Sequence, residues 1–392
     1  MSVTFAAGFS AGAVACGVKT GVAERLDVAL VASDRPCTSA AVYTTNAVVA
    51  APLVVTRRHL AAAGPRGVVV NSGNANACTG EQGERDAVAV AAAAAAVIGA
   101  TAEEITVAST GVIGVPLPVE RIARALGTVR LTRDGGEDAA RAILTTDTRP
   151  KLATRAVELS AGTVRVGGMA KGAGMIHPNL ATMLAFVTTD ASIAEPTLRA
   201  HVNEAAAASF NSISVDGDTS TNDMLLVLAN GASGVRVADA DATAFLRALT
   251  EVCVELAVAI VADGEGATKL IQVRVSGARS RDDAAVASRT IVSSNLVKTA
   301  IHGADPNWGR ILAAAGRSGA ALDERVATVR IAGHRVFERG APCPFDAAAL
   351  RAALERPVVE VELDLALGAD AATAWGCDMS AEYVRINAEY TT

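Results

Sequence analysis

Two hydrophobic patterns take turns along this chain, short β-branched runs and longer alanine-rich stretches at helical spacing. From Asp27 to Thr45, β-branched runs broken by turn residues predict a sheet-rich opening. Strands are expected over Gly67–Val70, Ile105–Ala108, Ala153–Leu159, Thr163–Val166, Met183–Thr188, Leu225–Leu228, Val358–Leu363 and Ala371–Trp375. Helices are expected over about Glu81–Val97, Val119–Leu126, Glu137–Leu144, Glu195–Ser209 and Ala242–Val261. An alanine-rich helix follows the loop at Asp305–Arg310. Strands alternating with helices point to an α/β or α+β protein, and neither a repeat, a Pro/Ser-rich linker nor a block of like charge divides it.

Composition narrows the class. Half of the 392 residues are apolar but only 3% are aromatic, so the core is built from Ala and Val and suits helices packed closely on sheets. That length suggests two or three domains or one large layered domain. A formal charge of -6 without clustered Lys and Arg argues against nucleic acid and for a small partner. The six cysteines are scattered with no CxxC pair, which predicts reduced thiols in a cytosolic protein and no metal site. The first residues lack the basic start of a signal peptide, and the apolar run Ala87–Ala100 is too short to cross a bilayer and reads as a core helix.

Candidate chemistry centres on Gly167–Asp190, GGMAKGAGMIHPNLATMLAFVTTD. A glycine-rich, deformable segment carrying Lys171 runs through His177 to Ala181 and Thr182, and a strand-like apolar run follows. A hydroxyl placed there can attack its own preceding carbonyl, cut the chain and leave Thr182 as a new N-terminus. Such a threonine carries nucleophile and base on one residue. The same letters also describe a threonine opening an ordinary core strand.

Four polar clusters lie elsewhere. Ser109-Thr110-Gly111 follows a strand, where a threonine and glycines can offer the donors of an oxyanion hole. Thr145–Pro150, TTDTRP, either caps a turn or lines a pocket. Asp216–Asp223 begins like a calcium loop but places Thr221 at the glycine position and Val227 at the final glutamate position, so it is not an EF-hand. Glu265 stands between two glycines, and Trp308 either walls a pocket or anchors packing.

Taken together, MAKGAGMIHPNLATML, STGVIG, TTDTRPK, VDGDTSTND, DGEGATK, LVKTAIHGADPNWGR and the terminal NAEYTT closely resemble the bacterial ornithine acetyltransferases, or glutamate N-acetyltransferases, of arginine biosynthesis. The resemblance covers essentially the whole chain, in order. It implies a layered αββα sandwich of the kind found in self-processing aminopeptidases and similar to N-terminal-nucleophile hydrolases. It further implies cleavage between Ala181 and Thr182, with residues 1–181 and 182–392 sharing one fold and assembling as a cytoplasmic α₂β₂ heterotetramer.

On this resemblance Thr182 is the nucleophile, Thr110 and Gly111 stabilise the oxyanion, and Thr145, Lys171, Thr182, Glu265, Asn387 and Thr392 contact substrate. N-acetylornithine and glutamate are the implied partners, with no metal or cofactor; acetyl-CoA as a second donor stays open. A free α-amine has an unperturbed pKa of about 8, which burial lowers, so no histidine is required as base. His177, before a proline, reads as structural. The rival reading is an amidase or aminopeptidase that uses the same threonine and passes its acyl group to water.

Overall fold

The structure is a computed structural model that describes residues 2–177 and 183–389. Two sheets form its centre. The first orders its strands as Phe9–Val14, Val28–Ser33, Gly67–Asn74 and Ile105–Val112; the second as Thr38–Tyr43, Met224–Ala229, Leu184–Thr189, Gly162–Lys171 and Lys151–Leu159. They pack face to face. Ala29, Val31, Val68, Val70 and Ala108 from the first meet Met169, Leu184, Phe186, Met224 and Leu226 from the second in one core.

Because side chains alternate along a strand, the intervening residues supply the outer faces. Val28, Leu30, Val69, Ile105 and Val107 lie under helices Gly80–Ile98 and Val119–Leu126. Ala185, Val187, Leu225 and Val227 lie under helices Glu195–Ala208 and Ala242–Ala262. The result is the expected αββα sandwich. Leu184–Thr189 and Met224–Ala229 run parallel, and helix Glu195–Ala208 carries the chain between them, since parallel neighbours need such a crossover.

A seven-stranded sheet forms a second unit, in the order Ala341–Pro342, His334–Glu338, Thr328–Ile331, Val358–Asp364, Leu270–Ala278, Asp370–Cys377 and Ile213–Ser214. Helices Arg281–Val292, Trp308–Gly316 and Ala347–Leu354 cover one face. The short strand Ile213–Ser214 pairs with Trp375–Gly376 and ties this unit to the sandwich.

The elements differ from the sequence reading in instructive places. Gly167 to Lys171 is strand, not a deformable loop, and the predicted strand Thr163–Val166 runs on through it. Its glycines serve close packing: a Cβ on Gly167 would lie 2.2 Å from the Ser2 carbonyl oxygen, and one on Gly168 2.9 Å from Leu256 Cδ1. The strands from Gly67 and Ile105 likewise extend through Asn74 and Val112, so Thr110 and Gly111 sit on a strand end instead of in a loop. Helix Ala51–Ala62, with a charged middle and a weak period, was not anticipated, nor was the C-terminal helix Ala381–Glu389.

Candidate active site

Strand periodicity aims two of the predicted residues at each other. Ala108 belongs to the core between the sheets, and Thr110, two residues on, faces the same way. Met169 belongs to that core too, and Lys171 follows it at the same spacing. Lys171 Nζ donates to Thr110 Oγ1 at 3.3 Å and to Thr145 Oγ1 at 2.9 Å. Next to Thr110 the ladder register shifts at Gly73/Asn74, an irregularity of the kind that re-aims groups beside active sites. Gly111 has φ 132°, and a Cβ there would stand 2.3 Å from the Gly73 carbonyl carbon, so only glycine fits.

A cleft opens at this point, lined by Thr110, Gly111, Thr145, Lys171, Glu265 and Asn387. Residues from five separate parts of the sequence are thereby brought together. Ala181, Thr182 and Thr392 lie outside the described residues. Met183 is described: its N–H donates to Asp223 Oδ1 at 2.8 Å, and the next residue, Leu184, pairs with Lys171 across the sheet.

Glu265 reaches the cleft from the turn after helix Ala242–Ala262. Gly174 makes room for it, since a Cβ on Gly174 would fall 2.5 Å from Glu265 Oε2. The Glu265 amide donates to the Ala173 carbonyl at 2.8 Å, and Asn387 Nδ2, on the C-terminal helix, donates to Glu265 Oε2 at 2.8 Å. An ammonium and a carboxylate thus share one cleft, which suits a ligand carrying both charges.

Behind the cleft lies a cluster of buried ions. Asp147 Oδ1 accepts from Lys151 Nζ at 2.5 Å and from the Gly172 amide at 2.6 Å, while Oδ2 accepts from the Thr145 amide at 3.1 Å and stands 3.9 Å from Lys171 Nζ. Lys151 Nζ also pairs with Asp263 Oδ2 at 2.5 Å, and Asp263 accepts from the amide and hydroxyl of Thr148. Burial alone would raise the Asp147 carboxyl, yet the two ammoniums and the Gly172 amide bring it down to about 2. Burial pushes Lys171 down, and Asp147 pulls it back.

Two further carboxyls are shifted upward. Burial raises Asp223 well above the usual range, against the Met183 amide and the Lys171 charge. Burial likewise pushes Asp216 up to about 6, although Met175 and Ile176 amides bond it at 2.5 and 2.9 Å and so fix the segment leading to His177. His177 Nδ1 lies 3.3 Å from Ser214 Oγ, and burial lowers its pKa. These contacts suit a structural role. Among the described residues no group of three His, Cys, Asp or Glu side chains is disposed to hold a metal.

Sequence reasoning left several lining residues without a role. Ser220, Thr221 and Asn222, from the rejected calcium loop, wall the cleft. Asn222 Nδ2 donates to the Ala75 carbonyl at 2.7 Å and the Ser109 carbonyl at 2.9 Å, pinning one wall to the strand that carries Thr110. No local signal marks that pairing, since its partners lie over a hundred residues away. Trp308 stacks on Phe337 at 5.0 Å in the second unit and is an anchor of packing.

Known proteins resemble the chain over its whole length. The model of the ArgJ family matches residues 10–392. An "Arginine biosynthesis bifunctional protein ArgJ" from Symbiobacterium thermophilum is 51% identical, over 100% of this chain and 98% of its own. One of the same description from Dehalococcoides mccartyi is 46% identical, over 100% and 97%. A crystal structure of the Bacillus halodurans arginine biosynthesis bifunctional protein is similar with a TM-score of 0.51 and 42% identity, covering 52% of this chain and 98% of that one. Full-length matches at this identity leave one conclusion: the chain belongs to the ArgJ family.

Proposed function

We propose that the chain moves the acetyl group of N-acetylornithine to glutamate through an ester on Thr182, after cutting itself between Ala181 and Thr182. Thr182 Oγ attacks the acetyl carbonyl, the amide C–N bond breaks, and ornithine leaves as the amine with the hydroxyl proton. The amine of glutamate then attacks the ester, and a proton returns to Oγ. An amide is broken and an amide is made, so neither nucleotide nor metal is needed.

Charge develops on the acetyl oxygen in both steps, and Thr110 and Gly111 answer it. The Lys171 ammonium has no acceptor capacity, so Thr110 Oγ1 accepts its hydrogen bond and keeps its own proton to donate to the oxyanion. Lys171 holds a substrate carboxylate, while Glu265, steadied by Asn387, holds an ammonium.

The observation that carries this reading is the meeting of Thr110, Gly111, Thr145, Lys171, Glu265 and Asn387 at one cleft. The naming of full-length relatives as bifunctional arginine-biosynthesis proteins supports it. Acetyl-CoA is part of the proposal as a second donor. The solved Bacillus halodurans chain, almost wholly covered by 52% of this one, has the length expected of a fragment. The working form is an α₂β₂ assembly in the cytoplasm.

The test is direct. Purified protein given N-acetylornithine and glutamate should release ornithine and N-acetylglutamate with ping-pong kinetics. Acetate release that does not depend on glutamate would point instead to an amidase.

A further inference from the structure

The ions behind the cleft alternate in sign, Asp263, Lys151, Asp147, Lys171, and every side chain in the series is at most 5% exposed. Only the last touches the cleft. We infer that Asp147 is a positioning residue, which holds Lys171 protonated and aimed at the substrate carboxylate without touching substrate itself.

Three features single out Asp147. Its two oxygens are shared among the Thr145 amide, the Gly172 amide and Lys151, so it fixes the backbone on both sides of the ammonium it serves. Lys171 has hydroxyl partners on the cleft side, Thr110 and Thr145, and neither can offset its charge. The other charges facing Lys171 are the Asp223 carboxyl from the turn before strand Met224–Ala229, Glu265 from the cleft turn, and Lys151, which opposes protonation. Asp223 is itself driven toward the neutral acid by burial, and Glu265 is taken up by Asn387 and by ligand. Asp147 is therefore the standing countercharge. The substrate half of this inference rests on the proposed acetyl transfer; the statement about the Lys171 proton does not.

The test separates the two. In processed enzyme carrying 13C-labelled lysine, with the Lys171 signal assigned through Lys171→Arg, Asp147→Asn should lower the Lys171 titration by at least about one pH unit. The KM for N-acetylornithine should rise at least about tenfold above the new titration point, recover as pH falls, and leave kcat much less affected. An unmoved Lys171 titration, or a KM raised equally at every pH, would overturn the inference. Should Asp147→Asn not fold, Lys151→Met with Asp263→Asn removes a neutral buried pair, which proteins tolerate. There the Lys171 titration should rise, because Asp147 remains and its competitor is gone; a fall would overturn the inference. If wild-type protein performs no acetyl exchange, the proposed function fails while the titration still decides the role of Asp147.

Discussion

The αββα sandwich and the seven-stranded unit are both sheets under helices, yet only the sandwich, among the described residues, gathers its buried charges into a linked series. In the second unit, strand Val358–Asp364 alternates exposed and buried without a break, one face entering the core and the other, with Arg274, Arg330 and Glu362, turned to water. In the sandwich, strands Leu184–Thr189 and Met224–Ala229 are buried along their whole length, as are Lys151, Lys171 and Asp223 and the side chain of Asp147. Charges withdrawn from water cost several kcal/mol each unless paired. Their concentration behind one cleft therefore marks the part of the fold shaped by chemistry, while the second unit buries its charges singly, Lys298 on the Cys377 carbonyl and Asp378 on Thr268 and His302.

The sharpest way to break that contrast is to remove one buried ion. Asp263→Ala should destabilise the protein by roughly 3–5 kcal/mol in urea unfolding, because Lys151 loses a carboxylate in a site closed to water. A loss below about 1 kcal/mol would mean that the series is hydrated and the contrast false. Next in size is Thr110→Ala, which should lower kcat by about 10²–10³-fold while leaving the unfolding midpoint nearly unchanged, as measured by steady-state exchange.

The pH response of stability sharpens the same point. The folded pKa of Asp147 is depressed to about 2, so its contribution is present above the unfolded carboxyl pKa near 3.8 and disappears as pH falls through about 2. It amounts to roughly 2 kcal/mol and should vanish from acid unfolding curves in Asp147→Asn. Asp216 has the reverse sign. Its pKa is raised to about 6, so its stabilisation is complete below 3.8 and lost as pH rises through 6, and Asp216→Asn should flatten that limb. The smallest effect belongs to the second unit: Arg330→Ala breaks an exposed pair with Glu362 at 3.9 Å and should change stability by less than about 0.5 kcal/mol, with exchange unaltered.

Much of this contrast was written in the residues. VVEVELD announces a sheet with one wet face, whereas LAFVTT and MLLVLA are the runs of strands covered on both sides. Of the helices over the sandwich, Gly80–Ile98, Glu195–Ala208 and Ala242–Ala262 followed from their alanine-rich spacing, whereas Ala51–Ala62 did not. The site was legible through its seven short blocks, each weak alone, because glycines and hydroxyls at strand ends are ambiguous until their order is considered. What stayed hidden depends on distant partners. Gly167 and Gly168 read as looseness because the Ser2 backbone and Leu256 that crowd them lie far away in sequence. Asn222 has no visible role until Ala75 and Ser109 are beside it. TTDTRPK gave hydroxyls and charges, but that Asp147 sits between two lysines emerges only when strands Lys151–Leu159 and Gly162–Lys171 pair.

The central claim is that the inner-sheet cleft serves a nucleophile that the chain creates for itself. Intact mass analysis of active protein mixed with N-acetylornithine alone tests it most directly. The account predicts two polypeptides divided between Ala181 and Thr182, with an acetyl group on the one that begins TMLAF. An active, uncut chain of 39.6 kDa that carries no acetyl group would contradict it.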